Sequence, residues 1–141
     1  MKKNIVMPVS FLLLLSCNNK SKNNLMPEIK DCDSATIMYY KTPGNPRFFS
    51  MYKVRNIDSL LAITADVNEK IITGKDSCTT LGKIFFYGKG DAVYPVYFST
   101  DADCMTFSFI KTGEKYFTKM SNDTKNVLDL YRLTAKEPGS E

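Results

Sequence analysis

Short apolar runs alternate with turn residues through the second half of the chain, and this pattern constrains the fold more than any other feature. The strand-like runs cover residues 83–87, 92–99, 105–109 and 115–120. Runs of this length, joined by short turns, pair as antiparallel neighbours. Two earlier runs, at 35–40 and 47–54, flank the turn-rich sequence Thr42-Pro43-Gly44-Asn45-Pro46. The pattern therefore predicts an antiparallel sheet.

Two other segments have the spacing of amphipathic helices. Asn56 or Asp58 is the candidate cap of a helix over about residues 58–68. Ser121 or Asn122 is the candidate cap of a final helix that extends to about residue 135. A short strand is predicted at 70–73. Together these elements predict an α+β fold: a single antiparallel sheet of about five to seven strands, with two helices packed on one face.

The first seventeen residues form a separate unit. A short basic start leads into the apolar run Ile5–Leu15, which is shorter than the roughly 20 residues of a membrane span and has the features of an export signal. The run ends in Leu14-Leu15-Ser16-Cys17, which resembles the lipobox of bacterial lipoproteins. In that family the chain is cleaved after the residue at the position of Ser16, and the cysteine at the position of Cys17 is the lipid attachment site.

The resemblance implies a domain organisation and a location. The segments are a signal peptide (1–16), a lipidated cysteine with a flexible tether (17–27), a single globular domain (28–136) and a frayed tail (137–141). Lipid chains hold a protein at a membrane, so we expect the domain in the bacterial cell envelope. Asn18, where some lipoproteins have aspartate, favours the outer membrane, facing the periplasm. Two alternatives remain open: an ordinary cleaved signal with Cys17 incidental, and a core strand at Ile5–Leu15.

Three cysteines follow Cys17, and exported cysteines usually pair. The preferred disulfide joins Cys78 to Cys104, because each precedes an apolar strand-like run. Closing a loop of this size contributes about 3–4 kcal/mol in the chain-entropy model. In a simple meander another strand lies between these two runs, so the bridge has to cross at the end of the sheet. A pair that includes Cys32 and a fully reduced set of thiols remain open alternatives.

Histidine is absent from all 141 residues, which limits the kinds of catalytic and metal-binding site that the chain can form. Its absence excludes Ser-His-Asp and Cys-His nucleophile arrangements and the His-Glu-x-x-His zinc helix. The pairs Asp31/Asp33 and Asp101/Asp103 lack the glycine and the distal glutamate of a calcium loop. We therefore expect no enzyme, no cofactor and no metal. An enzyme that uses converging carboxylates, or Tyr and Lys, remains an open alternative.

The net charge of +4 comes from the ends of the chain. Four of the 19 basic residues precede Glu28, so 15 basic and 15 acidic residues remain from that point on. Nucleic-acid binding needs a clustered basic face, and we therefore expect no nucleic-acid partner.

Aromatic residues crowd the strand-like runs in the second half of the chain. Most of them are expected in the core, but alternate positions of each strand must face away from the helices. Tyr87, Tyr94 and Tyr97 are the candidate interface residues, because tyrosine is a common anchor of protein interfaces.

Alternation in the run at 105–109 also predicts a sheet face that the helices do not cover. If the odd-numbered residues from Met105 to Phe109 face the core, Thr106, Ser108 and Ile110 line the other face. Such a face is weakly polar and uncharged, and it suits a protein partner or the edge of another sheet.

These observations predict a membrane-anchored periplasmic lipoprotein that acts as a protein-binding or inhibitory module, with immunity to a toxin as one subtype. Its expected partners are the membrane, through the lipid anchor, and an envelope protein. The alternative is a small-ligand carrier with an aromatic cavity, which requires an enclosed apolar pocket larger than about 300 Å³.

Overall fold

The computed structural model describes residues 22–140. The predicted signal peptide, with Ser16 and Cys17, lies outside the described residues. The strands are β1 (Ser34–Thr42), β2 (Asn45–Val54), β3 (Ile71–Ile72), β4 (Gly82–Tyr87), β5 (Val93–Ser99), β6 (Thr106–Lys111) and β7 (Glu114–Lys119). The helices are α1 (Ile57–Val67) and α2 (Asn122–Thr134), and a short 3-10 helix covers Pro27–Asp31.

The strands of the described region form one antiparallel sheet in the order β2-β1-β4-β5-β6-β7-β3. Strands β4 to β7 follow one another as hairpins, as the alternation of apolar runs and turns predicts. The two-residue strand β3 pairs with β7 at the far edge, so α1 connects the two edges of the sheet. The predicted α+β class, with one antiparallel sheet and two helices, is confirmed.

Both helices begin at side-chain caps that the sequence indicates. The side chain of Asn56 accepts a hydrogen bond from the amide of Ser59 (2.9 Å), and that of Ser121 accepts one from the amide of Thr124 (3.2 Å). These bonds satisfy amides that the first turn of a helix leaves without partners.

The two helices lie side by side and run in opposite directions. Asp66, near the end of α1, accepts hydrogen bonds from the amide and the hydroxyl of Ser121 at the start of α2 (both 2.8 Å). Tyr131, near the end of α2, donates its hydroxyl to Ser59 at the start of α1 (2.7 Å). We call the sheet face that they cover the helix side.

The core lies between the helices and the helix side of the sheet. Its fully buried side chains come from the central strands and from both helices, and they include Ile37, Ile84, Phe86, Val96, Phe107, Phe109, Ile63 and Leu128. Burial of one such side chain contributes about 1.5–3 kcal/mol. These contacts therefore hold the helices on the sheet.

Gly82 marks the closest packing on the helix side. A Cβ atom at this position would overlap the main-chain oxygen of Met38 and the ring of Phe98. Tyr39 meets the same Phe98 ring edge-on, with 5.8 Å between the ring centroids. The missing side chain at Gly82 thus makes room for the Phe98 ring.

The connection at 73–81 has to pass three strands, because β7, β6 and β5 lie between β3 and β4. A disulfide joins Cys78 in this connection to Cys104, just before β6, with 5.6 Å between the Cα atoms. The preferred pairing is the one found, and the bridge lies at the end of the sheet. Cys32 is a buried free thiol in the described region.

The folded domain begins earlier than the sequence predicts. Asn23 donates its side-chain amide to the carbonyl oxygens of Val67 (3.0 Å) and Glu69 (2.6 Å), and Met26 is only 4% exposed. The interpretation of residues 23–27 as tether is therefore corrected. Its error arose because the polar residues of this stretch concealed an apolar side chain that packs on the core.

The chain after α2 returns to the β2 edge of the sheet. Lys136 exchanges two main-chain hydrogen bonds with Met51 (2.7 and 3.0 Å), and Glu137 forms an ion pair with Lys41. The segment predicted as a frayed tail thus starts with a residue that is paired to the domain.

Candidate functional site

The sheet face opposite the helices is the candidate functional site, and we call it the open face. No helix of the described region covers it. Its members follow from the register, since their positions alternate with those of the core residues. They are Thr36, Met38 and Tyr40 (β1), Phe49, Met51 and Lys53 (β2), Lys83, Phe85 and Tyr87 (β4), Val93, Pro95, Tyr97 and Ser99 (β5), Thr106, Ser108 and Ile110 (β6), and Lys115, Phe117 and Lys119 (β7).

Exposed apolar side chains gather at one end of the open face. Tyr87 pairs directly with Val93, and these side chains are 39% and 46% exposed. Ile110 is 60% exposed and lies two positions beyond Ser108 on β6, which brings it alongside Pro95 on β5. We call Tyr87, Val93, Pro95 and Ile110 the apolar patch. Such clusters are typical of interaction surfaces in soluble domains.

Two lysines on the open face lie over aromatic rings. The ammonium group of Lys83 is 4.9 Å from the ring centre of Phe85 and 5.3 Å from that of Tyr97. The ammonium group of Lys115 is 5.1 Å from the ring centre of Phe117. Cation–π contact at an exposed site contributes only about 0.5–1 kcal/mol, so both amines remain able to meet a partner.

The open face is positively charged, although basic and acidic residues are equal in number from Glu28 to the last residue. Its strand positions include Lys53, Lys83, Lys115 and Lys119 and no acidic residue. The one acidic residue within the strands, Glu114, alternates with β7 residues of the open face and lies on the helix side. The predicted uncharged face is thus corrected, because composition alone cannot reveal how charges divide between two faces.

The three candidate tyrosines do not form one cluster. Tyr87 and Tyr97 share the open face, and Tyr87 donates its hydroxyl to Thr36 (3.0 Å). Tyr94 pairs with the core residue Phe86 and lies on the helix side. Side chains alternate between the two faces along β5, so Tyr94 and Tyr97, which are three positions apart, lie on opposite faces.

Sequence reasoning missed most members of the open face, among them Val93, Lys83 and Lys115. The position of Val93 could have been predicted, because Val93, Pro95 and Tyr97 are alternate residues of one strand and therefore share a face. The lysines had no such signal, because a lone lysine in a strand is usually a solvated residue. Only the register shows that these residues border one surface.

The small polar residues predicted on the open face are buried. Thr106 and Ser108 are 3% and 5% exposed, whereas Ile110 is exposed as predicted. Ser108 lies directly between Tyr97 and Phe117 in the register, so two large neighbours on the same face cover it. The accessible part of the open face is therefore aromatic, aliphatic and basic.

Burial favours the neutral forms of two ionisable groups on or near the sheet, Tyr40 and Cys32. Burial raises the pKa of Tyr40, and the nearby Tyr97 adds to the rise. Burial also raises the pKa of the Cys32 thiol, with further contributions from Asp33 and Asp31. A protonated thiol is a poor nucleophile. Among residues 22–140, no three His, Cys, Asp or Glu side chains converge as a metal site.

Two clefts that open to solvent lie away from the apolar patch. One, of about 380 Å³, lies between the β2 edge and the chain after α2, and Tyr52 is its one aromatic residue. The other, of about 1050 Å³, has charged walls that include Asp66, Lys75 and Asp103. Neither has the aromatic lining of a carrier cavity, since the aromatic residues Phe86, Phe107 and Phe109 are packed in the core.

None of the helices in the described region has the length and apolarity to cross a membrane. No protein-family model matches the chain, and no match was found among the curated proteins or the solved structures. The functional assignment therefore depends on the chemistry of the open face.

Proposed function

We propose that this protein is a lipid-anchored module of the bacterial cell envelope that binds an envelope protein through its open face. The observation that carries the proposal is the apolar patch, flanked by lysines, on a sheet face that no helix of the described region covers. An apolar centre with a polar rim is the usual composition of a protein interface. The Cys78–Cys104 disulfide agrees with an oxidising compartment.

In this proposal, lipid attached to Cys17 anchors the protein, and the domain lies on the periplasmic side of the outer membrane. Inhibition of the bound protein, including immunity to a toxin, is the mode of action that fits a chain with no histidine and, in the described region, no cluster of three metal-ligating side chains. Blocking another protein requires only a complementary surface.

Site-specific photo-crosslinking of the full-length protein in its own membranes tests the proposal. A photoreactive phenylalanine analogue replaces Ile110 in the apolar patch, and in a matched variant it replaces Leu133, which is 83% exposed on α2. We expect one protein adduct from position 110 and none from position 133. Equal adducts from both positions, or none from position 110, would contradict the proposal.

A further inference from the structure

We propose that the surface bound by the open face is an acidic surface of a protein, and that the open face points away from the membrane that holds the anchor. The inference rests on the proposed function and names the chemistry of the partner. It follows from two independent features: the pairing of the lysines, and the position at which the chain enters the domain.

The lysines of the open face have no carboxylate partner in the described region. Ion pairs there join Lys41 to Glu137, Lys111 to Glu28 and Lys125 to Asp129. None of these six residues belongs to the open face. The open-face lysines instead lie over rings or point to solvent, which leaves their positive charge without local compensation. Complementary charge across an interface speeds association and selects the partner.

The anchor is tied to the helix side of the domain. Asn23 is bonded to the end of α1, and Met26 and Ile29 are buried in the core that the helices cover. Asn23 lies six positions after Cys17, and a chain of six steps spans at most about 21 Å. The lipid is therefore held near the helix layer, while the open face lies on the opposite side of the sheet.

The apolar patch favours a protein over a nucleic acid as the acidic partner. Val93, Pro95 and Ile110 are aliphatic, and they are among its most exposed members. Single-stranded nucleic acids are held by stacking on aromatic rings together with a basic groove. Aliphatic side chains between lysines instead suit a partner with apolar side chains bordered by carboxylates.

Charge reversal, read out by the same crosslink from position 110, tests the inference. Lys83→Glu with Lys115→Glu places like charges against an acidic partner, and we expect the adduct to fall by about tenfold or more. The matched control, Lys30→Glu with Arg132→Glu, makes the same change in net charge outside the open face. It should retain the yield within about twofold, because distant surface charges are screened by salt.

Restoration of the crosslink completes the test. Replacing the acidic residues next to the crosslinked site of the partner with lysine should recover the adduct with the Lys83→Glu/Lys115→Glu protein. A partner captured equally well by the original and the charge-reversed protein would overturn the inference while leaving the proposed function standing. The absence of any protein adduct from position 110 would instead count against the proposed function itself.

Vesicles containing phosphatidylglycerol distinguish an anionic lipid from a protein. The full-length lipidated protein, reconstituted without other proteins, should give lipid adducts when the photoreactive residue replaces Asn24, near the anchor. The same residue at position 110 should give none. Lipid adducts from position 110 would overturn the inference, because they would show the open face lying on the membrane. Adducts to nucleic acid from that position in cells would overturn it as well.

Discussion

Tyr39 donates its buried hydroxyl to the main-chain oxygen of Leu128, with 2.7 Å between the two atoms. This bond joins the central strand β1 to α2 across 89 positions of sequence. Tyr39 is only 4% exposed, so its hydroxyl is shielded from solvent and depends on this single hydrogen bond. The hydrogen bond between Tyr39 and Leu128 therefore forms only when α2 is packed on the sheet.

Replacement of Tyr39 by phenylalanine should lower the free energy of unfolding by about 1 kcal/mol, because a net hydrogen bond of this kind is lost without a large change in shape. Urea unfolding measures the change. Tyr94→Phe is the control, since the Tyr94 hydroxyl has no hydrogen-bond partner among residues 22–140. An equal loss in both variants would contradict the role of the Leu128 contact.

The stability of the protein should fall above pH 10, and Tyr39 should cause part of the fall. Burial, and then the charge of Asp129, raise the pKa of Tyr39 above its ordinary value of 10.0. In the unfolded chain the phenol ionises near pH 10, so its contribution is present below that pH and is lost above it. One such group changes the unfolding free energy by about 1.4 kcal/mol per pH unit. Because the unfolded phenol is only partly ionised between pH 10 and 11, Tyr39→Phe should lose about 1 kcal/mol less than the unchanged protein over this interval; parallel curves would refute the assignment.

Loss of the Cys78–Cys104 bridge should lower the unfolding free energy by about 3.5 kcal/mol, the chain-entropy value for its loop. The double variant Cys78→Ser/Cys104→Ser, compared with the oxidised protein in urea, measures the loss. The variant Cys32→Ser removes a thiol but retains the bridge, so it shows how much stability is lost when a cysteine is replaced without loss of the disulfide. Thiol counting in denaturant should find Cys32 as the one reactive cysteine after Cys17 in the oxidised protein, and a second free thiol would rule out the pairing.

Gly82→Ala should destabilise the domain by about 2–3 kcal/mol, because the added Cβ overlaps main-chain atoms and a core ring. The control is Gly88→Ala, whose Cβ would approach the ring of Tyr94 at 2.8 Å. A side-chain ring can shift at low cost, so this variant should lose about 1 kcal/mol or less. Thermal unfolding of the two variants compares them, and equal midpoints would show that the packing at Gly82 is looser than the structure indicates.

Asn23→Ala should lower the unfolding free energy by about 1–2 kcal/mol, since it removes two hydrogen bonds to the end of α1. The neighbouring Asn24 is exposed, and Asn24→Ala should change the stability by less than about 0.5 kcal/mol. The pair of variants tests whether the folded domain starts at residue 23. Identical urea midpoints for both variants and the unchanged protein would show that residues 23–27 belong to the tether.

Local signals were sufficient for most of the secondary structure. Asn56 and Ser121 cap the helices, and turn residues end the strands close to the predicted positions. The start of the domain was harder to predict, because Leu25 and Met26 are two apolar residues that follow a polar stretch. The burial of Met26 depends on a contact with a core that is assembled from residues far along the chain.

The candidate site was only partly predictable for a similar reason. Tyr87 and Tyr97 were named from residue type and share the open face, while Tyr94, three residues before Tyr97, lies on the helix side. Ile110 was placed on the open face by alternation along one strand. The burial of Ser108 depends on its neighbours across two strands, Tyr97 and Phe117, and alternation within one strand carries no information about them.

The sequence by itself determined the class of fold, two candidates for each helix cap and the preference for a bridge between Cys78 and Cys104, because these depend on local spacing and on turn chemistry. Tertiary structure alone decided that β3 lies at the far edge and that four lysines share one face with the apolar patch. The physical reason is that strand order and register bring together residues from separate runs. A chain whose charges balance from residue 28 onward can thereby present a basic, apolar surface that its composition conceals.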